Sequence, residues 1–169
     1  MTRQPYELSQ AAVGSIFTVY LAGTFAAAIM GRLADRFTRR NVIWMSMLVA
    51  LAGLICTLAG VLPVIILGML VLTFGFFGVH SIASSWVGRR AQSAKAPAAA
   101  LYLFAYYAGS SVLGTLGGVA YAAEGWTGTV IVVALEFAIA LGIAVSFLRT
   151  LRPKPELAEL MSLSAHRMA

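Results

Sequence analysis

Charge is what this 169-residue chain has least of: only 11% of its residues are Asp, Glu, Lys or Arg, against about a quarter in soluble domains. That shortage excludes an ordinary water-soluble domain. Cysteine is down to one, Cys56, so no internal disulfide can form. With only His80 and His166 beside it there is no zinc-like cluster, and no metal site is expected. No glycine-rich phosphate loop and no nucleophile-base pair is present, so neither a bound cofactor nor an enzyme is expected. Acidic residues number six against twelve basic ones. The excess of positive charge falls in short gaps between apolar runs, not along one face of a domain, and nucleic acid is not expected as a partner.

What the chain has instead is apolar length. Apolar residues make up 60% of it, and its mean hydropathy is +0.88. Residues 11–30 hold no charge, and at 1.5 Å per residue such a run crosses a hydrocarbon layer of roughly 30 Å. Residues 42–61, 63–87, 98–122 and 127–148 are four further runs. Lipid offers no partner to an open backbone group, so each must be helical. The fold class expected is therefore all-α, a polytopic membrane protein of five transmembrane helices, with the lipid bilayer as its first partner. The breaks are an arginine-rich turn at 31–41, Gly60 to Pro63, Gly88 to Pro97, and Glu124-Gly125.

The charges orient these helices. Arg32, Arg36, Arg39 and Arg40 occupy the first gap, Arg89, Arg90 and Lys95 the third, and Arg149, Arg152 and Lys154 the C-terminal flank. The second gap is uncharged, the fourth has only Glu124, and Arg3 is offset by Glu7. Positive charge accumulates in cytoplasmic loops, which predicts an outside N-terminus and a cytoplasmic C-terminus in the cell membrane. A cleaved signal peptide does not fit, because the first run is too long and the arginines follow it. The organisation expected is a lead-in at 1–10 on the outer side, a membrane region at 11–152, and a cytoplasmic tail at 153–169. Leu157, Leu160 and Met161 offer the tail one amphipathic face; a frayed end is the alternative. An odd number of spans with an outside start predicts that further spans precede Met1.

The informative stretch is GRLADRFTRR at 31–40. It resembles the signature loop of the major facilitator superfamily, Gly-x-Leu-Ala-Asp-Arg-x-Gly-Arg-Arg, with Gly31, Leu33, Ala34, Asp35, Arg36, Arg39 and Arg40 matching and Thr38 replacing the second glycine. Residue chemistry alone makes the loop a candidate conformational latch. Gly31 lets another backbone approach, and Asp35 can face an arginine or a helix N-terminus. For Arg39 and Arg40 the alternative is that they set topology and touch anionic lipid heads. The resemblance implies a twelve-span transporter in two halves, with this chain as spans eight to twelve; spans two to six fit the topology equally, and Thr38 and the short C-terminal tail favour the later set. Residues 100–118 also resemble the eleventh span of efflux members. Small-solute transport, with protons as coupling ion and the missing N-terminal half as partner, is what this resemblance implies. A membrane assembly module or a nonfunctional truncated transporter are the alternatives.

Within the spans, Ser110, Gly114 and Gly118 form a ridge for helix packing. The GTLGG sequence at 114–118 also resembles an element of proton-coupled antiporters. Tyr102, Tyr106 and Ser110 share a stripe on which Tyr106 is the cavity candidate and Tyr102 either lines the path or belongs to the interfacial belt. His80 can relay protons, or stand neutral and bonded to a neighbouring span. Glu136, at mid-span among Val132, Val133, Ile139 and Ala140, is a candidate coupling residue or a support. Gly23, Ala27 and Gly31, and Ala52, Cys56 and Gly60, read as packing ridges.

Overall fold

The structure is a computed structural model that describes the backbone of residues 8–150 and side chains through residue 143. The tail expected at 153–169 lies outside the described residues. The described chain is helical throughout, without strands. It begins with α1 (Gln10–Ile16), a 3-10 stretch (Phe17–Tyr20) and α2 (Leu21–Arg36). Then come α3 (Arg39–Cys56), α4 (Leu62–Arg90) and α5 (Lys95–Thr150). Ser9 opens α1 as its N-cap, its hydroxyl accepting from Ala12 N at 3.2 Å. The Ser15 and Thr18 hydroxyls each donate to a carbonyl three residues back, at 2.7 Å. Such back-bonding bends helices, and here it accompanies the tighter 3-10 turn inside the first span.

Among the described residues the closest approach of backbones is between α3 and α4, and glycine makes it possible. A Cβ added to Gly53 would meet the Leu72 nitrogen and lie 2.7 Å from Gly68 O. One added to Gly75 would meet the Ala50 nitrogen and lie 2.6 Å from Ser46 O, and one on Gly68 would lie 2.9 Å from Thr57 N. Ser46, Ala50, Gly53 and Thr57 thus form one face of α3, and Gly78, Gly75, Leu72 and Gly68 the facing strip of α4, running the opposite way. In lipid no hydrophobic driving force presses helices together, so dispersion between closely approached backbones must hold them. At Gly78, Met30 of α2 joins this seam, its Cγ 3.0 Å from the added Cβ. Met30, Ala34, Val42 and Ile82 then close a core among α2, α3 and α4. The seam runs along Ser46, Ala50, Gly53 and Thr57, with Cys56 at its edge, its Cβ 3.0 Å from the Cβ added to Gly68. Of the ridge expected at Ala52, Cys56 and Gly60, Ala52 is exposed and a Cβ on Gly60 would meet nothing within 4 Å.

Among the described residues four helical elements are long and apolar enough to cross a membrane, and the last, Lys95–Ile143, is 49 residues long. The two final runs share one helical element that breaks at Gly125, with φ 64 and ψ −151. That break is a reversal. Thr129 Oγ1 donates to Gly117 O at 3.2 Å, whereas twelve residues of continuous helix would separate them by about 18 Å. A Cβ on Gly128 would lie 2.6 Å from Ala120 O. Gly125 tolerates the positive φ that the turn demands. Two antiparallel arms therefore replace one overlong helix up to residue 134.

Some bounds shift. The second span begins at Arg39 and ends at Cys56, earlier than the 42–61 expected. Val61 is extended (φ −113, ψ 118) and Pro63 occupies the first turn of α4, which starts the next helix. The described residues from Leu135 onward belong to a second compact unit and are helical.

Gly53→Ala should lower stability in detergent by roughly 1–3 kcal/mol through overpacking against backbone that cannot step aside. Gly114→Ala, where the added Cβ meets nothing within 4 Å, should cost nothing measurable. Denaturation of both variants monitored by helical circular dichroism separates the two cases.

Candidate functional site

Two clusters of polar side chains stand out on this frame. The first is the arginine-rich turn. α2 ends at Arg36, Phe37 is extended (φ −112, ψ 168), and Thr38 caps α3 by accepting from Asn41 N at 3.4 Å. Arg39 and Arg40 consequently sit in the first turn of α3, where the helix dipole disfavours positive charge. Two contacts offset this for Arg39. Its Nη2 lies 3.6 Å from Asp35 Oδ1, and its Nη1 donates to Ser85 Oγ of α4 at 2.9 Å. Arg39 thereby links the ends of α2, α3 and α4. Asp35 is 73% exposed and Arg39 only 20%, so the Asp35 pair is worth well under about 1 kcal/mol. The tie between helices is Arg39 to Ser85. Gly31 has nothing within 4 Å of an added Cβ; Arg36 and Arg40 are exposed. At the same end, the Arg90 guanidinium lies 5.8 Å from the Trp86 ring centroid, a cation-π contact.

The second cluster joins α4 to the first arm of α5 through large side chains, not through backbone. The Tyr102 hydroxyl is 3.0 Å from His80 Nδ1 and 3.3 Å from His80 O. The His80 ring lies 4.7 Å from Tyr106, centroid to centroid, and 6.2 Å from Phe76, with which it is nearly parallel. Phe77, next to Phe76, turns the other way, against Tyr20 and Gly23 of the first span. His80, Tyr102 and Tyr106, three residues singled out by the sequence, are thus in one place. His80 is bonded to a neighbouring helix, and Tyr102 faces it.

Other expected sites are differently placed. Glu136 belongs to the second unit; its Oε1 is buried and has no hydrogen-bond partner among the described residues. Gly114 and Gly118 have no neighbour within 4 Å of an added Cβ and Ser110 is exposed, so the ridge is an open face here. On that helix Gly117 is the buried glycine, a Cβ added there lying 3.9 Å from Thr129 Cγ2. Among the described residues no group of His, Cys, Asp and Glu could hold a metal.

Sequence reasoning missed three contributors. Ser85 gives no signal alone, since its role follows from the register of α3 on α4. Thr38 reads as a lost glycine although Thr is a good N-cap, a signal that was available. At the opposite end of the seam, Trp126 Nε1 donates to Thr57 Oγ1 at 3.1 Å, docking the Gly125 turn onto α3.

Comparison with known proteins gives a consistent result. The family model described as Major Facilitator Superfamily matches residues 2–163. The chain is 45% identical over 137 residues to "Uncharacterized MFS-type transporter YybF" of Bacillus subtilis (strain 168), covering 81% of this chain and 34% of that protein. It is equally 45% identical over 137 residues to "Inner membrane transport protein YnfM" of Escherichia coli (strain K12), covering 81% and 33%. With an "Uncharacterized transporter" of Buchnera aphidicola subsp. Schizaphis graminum (strain Sg) it shares 38% over 141 residues, covering 82% and 34%. The chain spans about a third of the length of these curated relatives. No solved structure matches it.

Thr38→Ala should destabilise the start of α3 by about 1 kcal/mol, and Thr38→Gly by only a few tenths. Thermal unfolding in detergent should rank the variants in that order.

Proposed function

The chain belongs to the major facilitator superfamily, and on that premise we propose that it supplies spans eight to twelve of a secondary transporter that exports a small solute by alternating access in exchange for inward protons. Its place is the inner membrane, with the N-terminus outside and the C-terminus in the cytoplasm. The solute would bind near the midplane, between these spans and a complementary N-terminal half. Inward protons would be carried by His80, with Glu136 as a second coupling residue.

The observation that carries this reading is the joint made by Arg39 with Ser85 and Asp35, which ties three helix ends at the basic side. A contact that exists in one arrangement of the helices and not another biases the population between them, typically by 1–3 kcal/mol. Asp35 keeps Arg39 aimed at Ser85, and the joint stabilises the arrangement described here. The open row of Ser110, Gly114 and Gly118 supports close packing by the complementary half. If that half is made as a separate chain, this one is an assembly module within the same transporter.

Proton coupling is tested in inside-out vesicles from cells expressing the full transporter that carries these spans, by solute-induced collapse of a pH gradient across a panel of small organic compounds. At least one compound should collapse the gradient. Asp35→Asn should slow that response by about two- to fourfold, as much as an exposed pair worth under about 1 kcal/mol can supply, without lowering the amount of inserted protein. A normal rate in Asp35→Asn would remove the joint from the transport cycle, and an unaltered pH dependence in Glu136→Gln would leave Glu136 a structural residue.

For orientation, single cysteines at Ala91 and Ala165 in a Cys56→Ser background should react with impermeant maleimide only from the cytoplasmic side. Labelling of either from outside would invert the topology.

A further inference from the structure

The contact between Tyr102 and His80 holds more than a bond between helices, because the phenol oxygen reaches two atoms of the same residue. It stands 3.0 Å from Nδ1 and 3.3 Å from the main-chain oxygen. A phenol has one proton to give and lone pairs with which to accept. We propose that Tyr102 is the positioning residue that lets His80 change its proton state inside the membrane without losing its partner; this rests on the reading of His80 as a proton carrier.

When Nδ1 is bare, the Tyr102 hydroxyl donates to it. When Nδ1 carries a proton, that N–H donates to the phenol oxygen, and the hydroxyl proton turns to the His80 carbonyl. The carbonyl's second lone pair is free for this, since its helical bond uses only one. Neutral ring with the proton on Nε2, neutral ring with the proton on Nδ1, and charged ring are therefore all satisfied on this side. On protonation one N–H bond forms at the bare ring nitrogen, while the phenol O–H bond only rotates and never breaks. In hydrocarbon this matters more than in water, since an unpaired N–H there costs several kcal/mol.

The surroundings suit a transient cation. Tyr106 and Tyr102 bring rings to 4.7 and 5.6 Å from the imidazole, inside the roughly 6 Å over which aromatic rings attract cations, and Phe76 lies just beyond at 6.2 Å. Of the other helices packed on α4, the first span brings Tyr20 to Phe77 and Asp35 to Arg39, and α3 brings Arg39 to Ser85. Among the described residues no carboxylate is bonded to His80. On this side a charged ring would thus meet aromatic rings and a phenol, not a described carboxylate.

The test is nitrogen-15 NMR of the ring in lipid nanodiscs, using the chain with His166→Gln so that His80 is the sole histidine. In the unaltered pocket, Nδ1 should show a hydrogen-bonded shift at both ends of the pH titration. In Tyr102→Phe that shift should vanish at both ends, and the charged share at mid-titration should drop several-fold; Tyr106→Phe should leave the Nδ1 shift in place. Fluorotyrosine at position 102, a stronger donor and weaker acceptor, keeps the test decisive should the Phe variant misfold. It should strengthen the Nδ1 bond at high pH and weaken it at low pH. An Nδ1 signal unmoved by either replacement overturns the proposal, whatever transport does. The coupling role is tested separately by the pH dependence of transport in His80→Gln.

Discussion

Close approach of two backbones along α3 and α4 is the constraint on which the rest of this structure depends. Gly53, Gly68 and Gly75 remove the side chains that would hold the helices apart, and Ser46, Ala50 and Thr57 complete the strip. Water cannot squeeze these helices together inside a bilayer, so contact density has to. Once the strip is set, its register brings Ser85 opposite Arg39 at one end and leaves Thr57 facing Trp126 at the other. Both polar ties sit near helix ends, where unsatisfied backbone and interfacial groups gather. Shifting α4 by one residue on α3 would lose the glycine contacts and the Arg39–Ser85 tie together.

α5 is held differently. Its first arm meets α4 through His80, Tyr102, Tyr106 and Phe76, side chains large enough to bridge a wider gap. A glycine seam tolerates little movement because each sub-ångström step costs contact. An interface of rings and one phenol can rearrange by rotamer changes and keep a hydrogen bond. The family's alternating access needs both kinds of contact: a rigid group of helices and a surface that can change its proton state or its neighbours. The α2–α3–α4 group has the first character, and under the function proposed above the His80 pocket would supply the second.

The arginine turn is the clearest case in which chemistry foreseen from the sequence took a different form in three dimensions. Asp35 offered the loop a carboxylate for an arginine or a helix end, and it lies 3.6 Å from Arg39, four residues on in the same turn. Yet Asp35 is mostly exposed, and the group that crosses between helices is Arg39. Thr38, a departure from the family's glycine, supplies the cap of α3. The turn thus combines a helix stop, a helix start and a tie to α4 within a few residues.

Much of this was legible from residue order. Long uncharged runs have one stable backbone form in lipid, so the helices, the turn at 31–40 and the Gly125 reversal follow from local sequence. His80 and Tyr106 could be named for the same reason, since polar side chains at membrane depth need partners. Partnership was not legible. Whether Gly53 or Ala52 faces α4, whether Gly114 or Gly117 is covered, and which hydroxyl receives Arg39 all depend on the rotation of one helix against the next. The spacing of small residues permits more than one such rotation. The tertiary structure decided among them, because only the rotation that lets backbones touch along the full α3–α4 strip collects enough dispersion to hold helices that lipid does not push together.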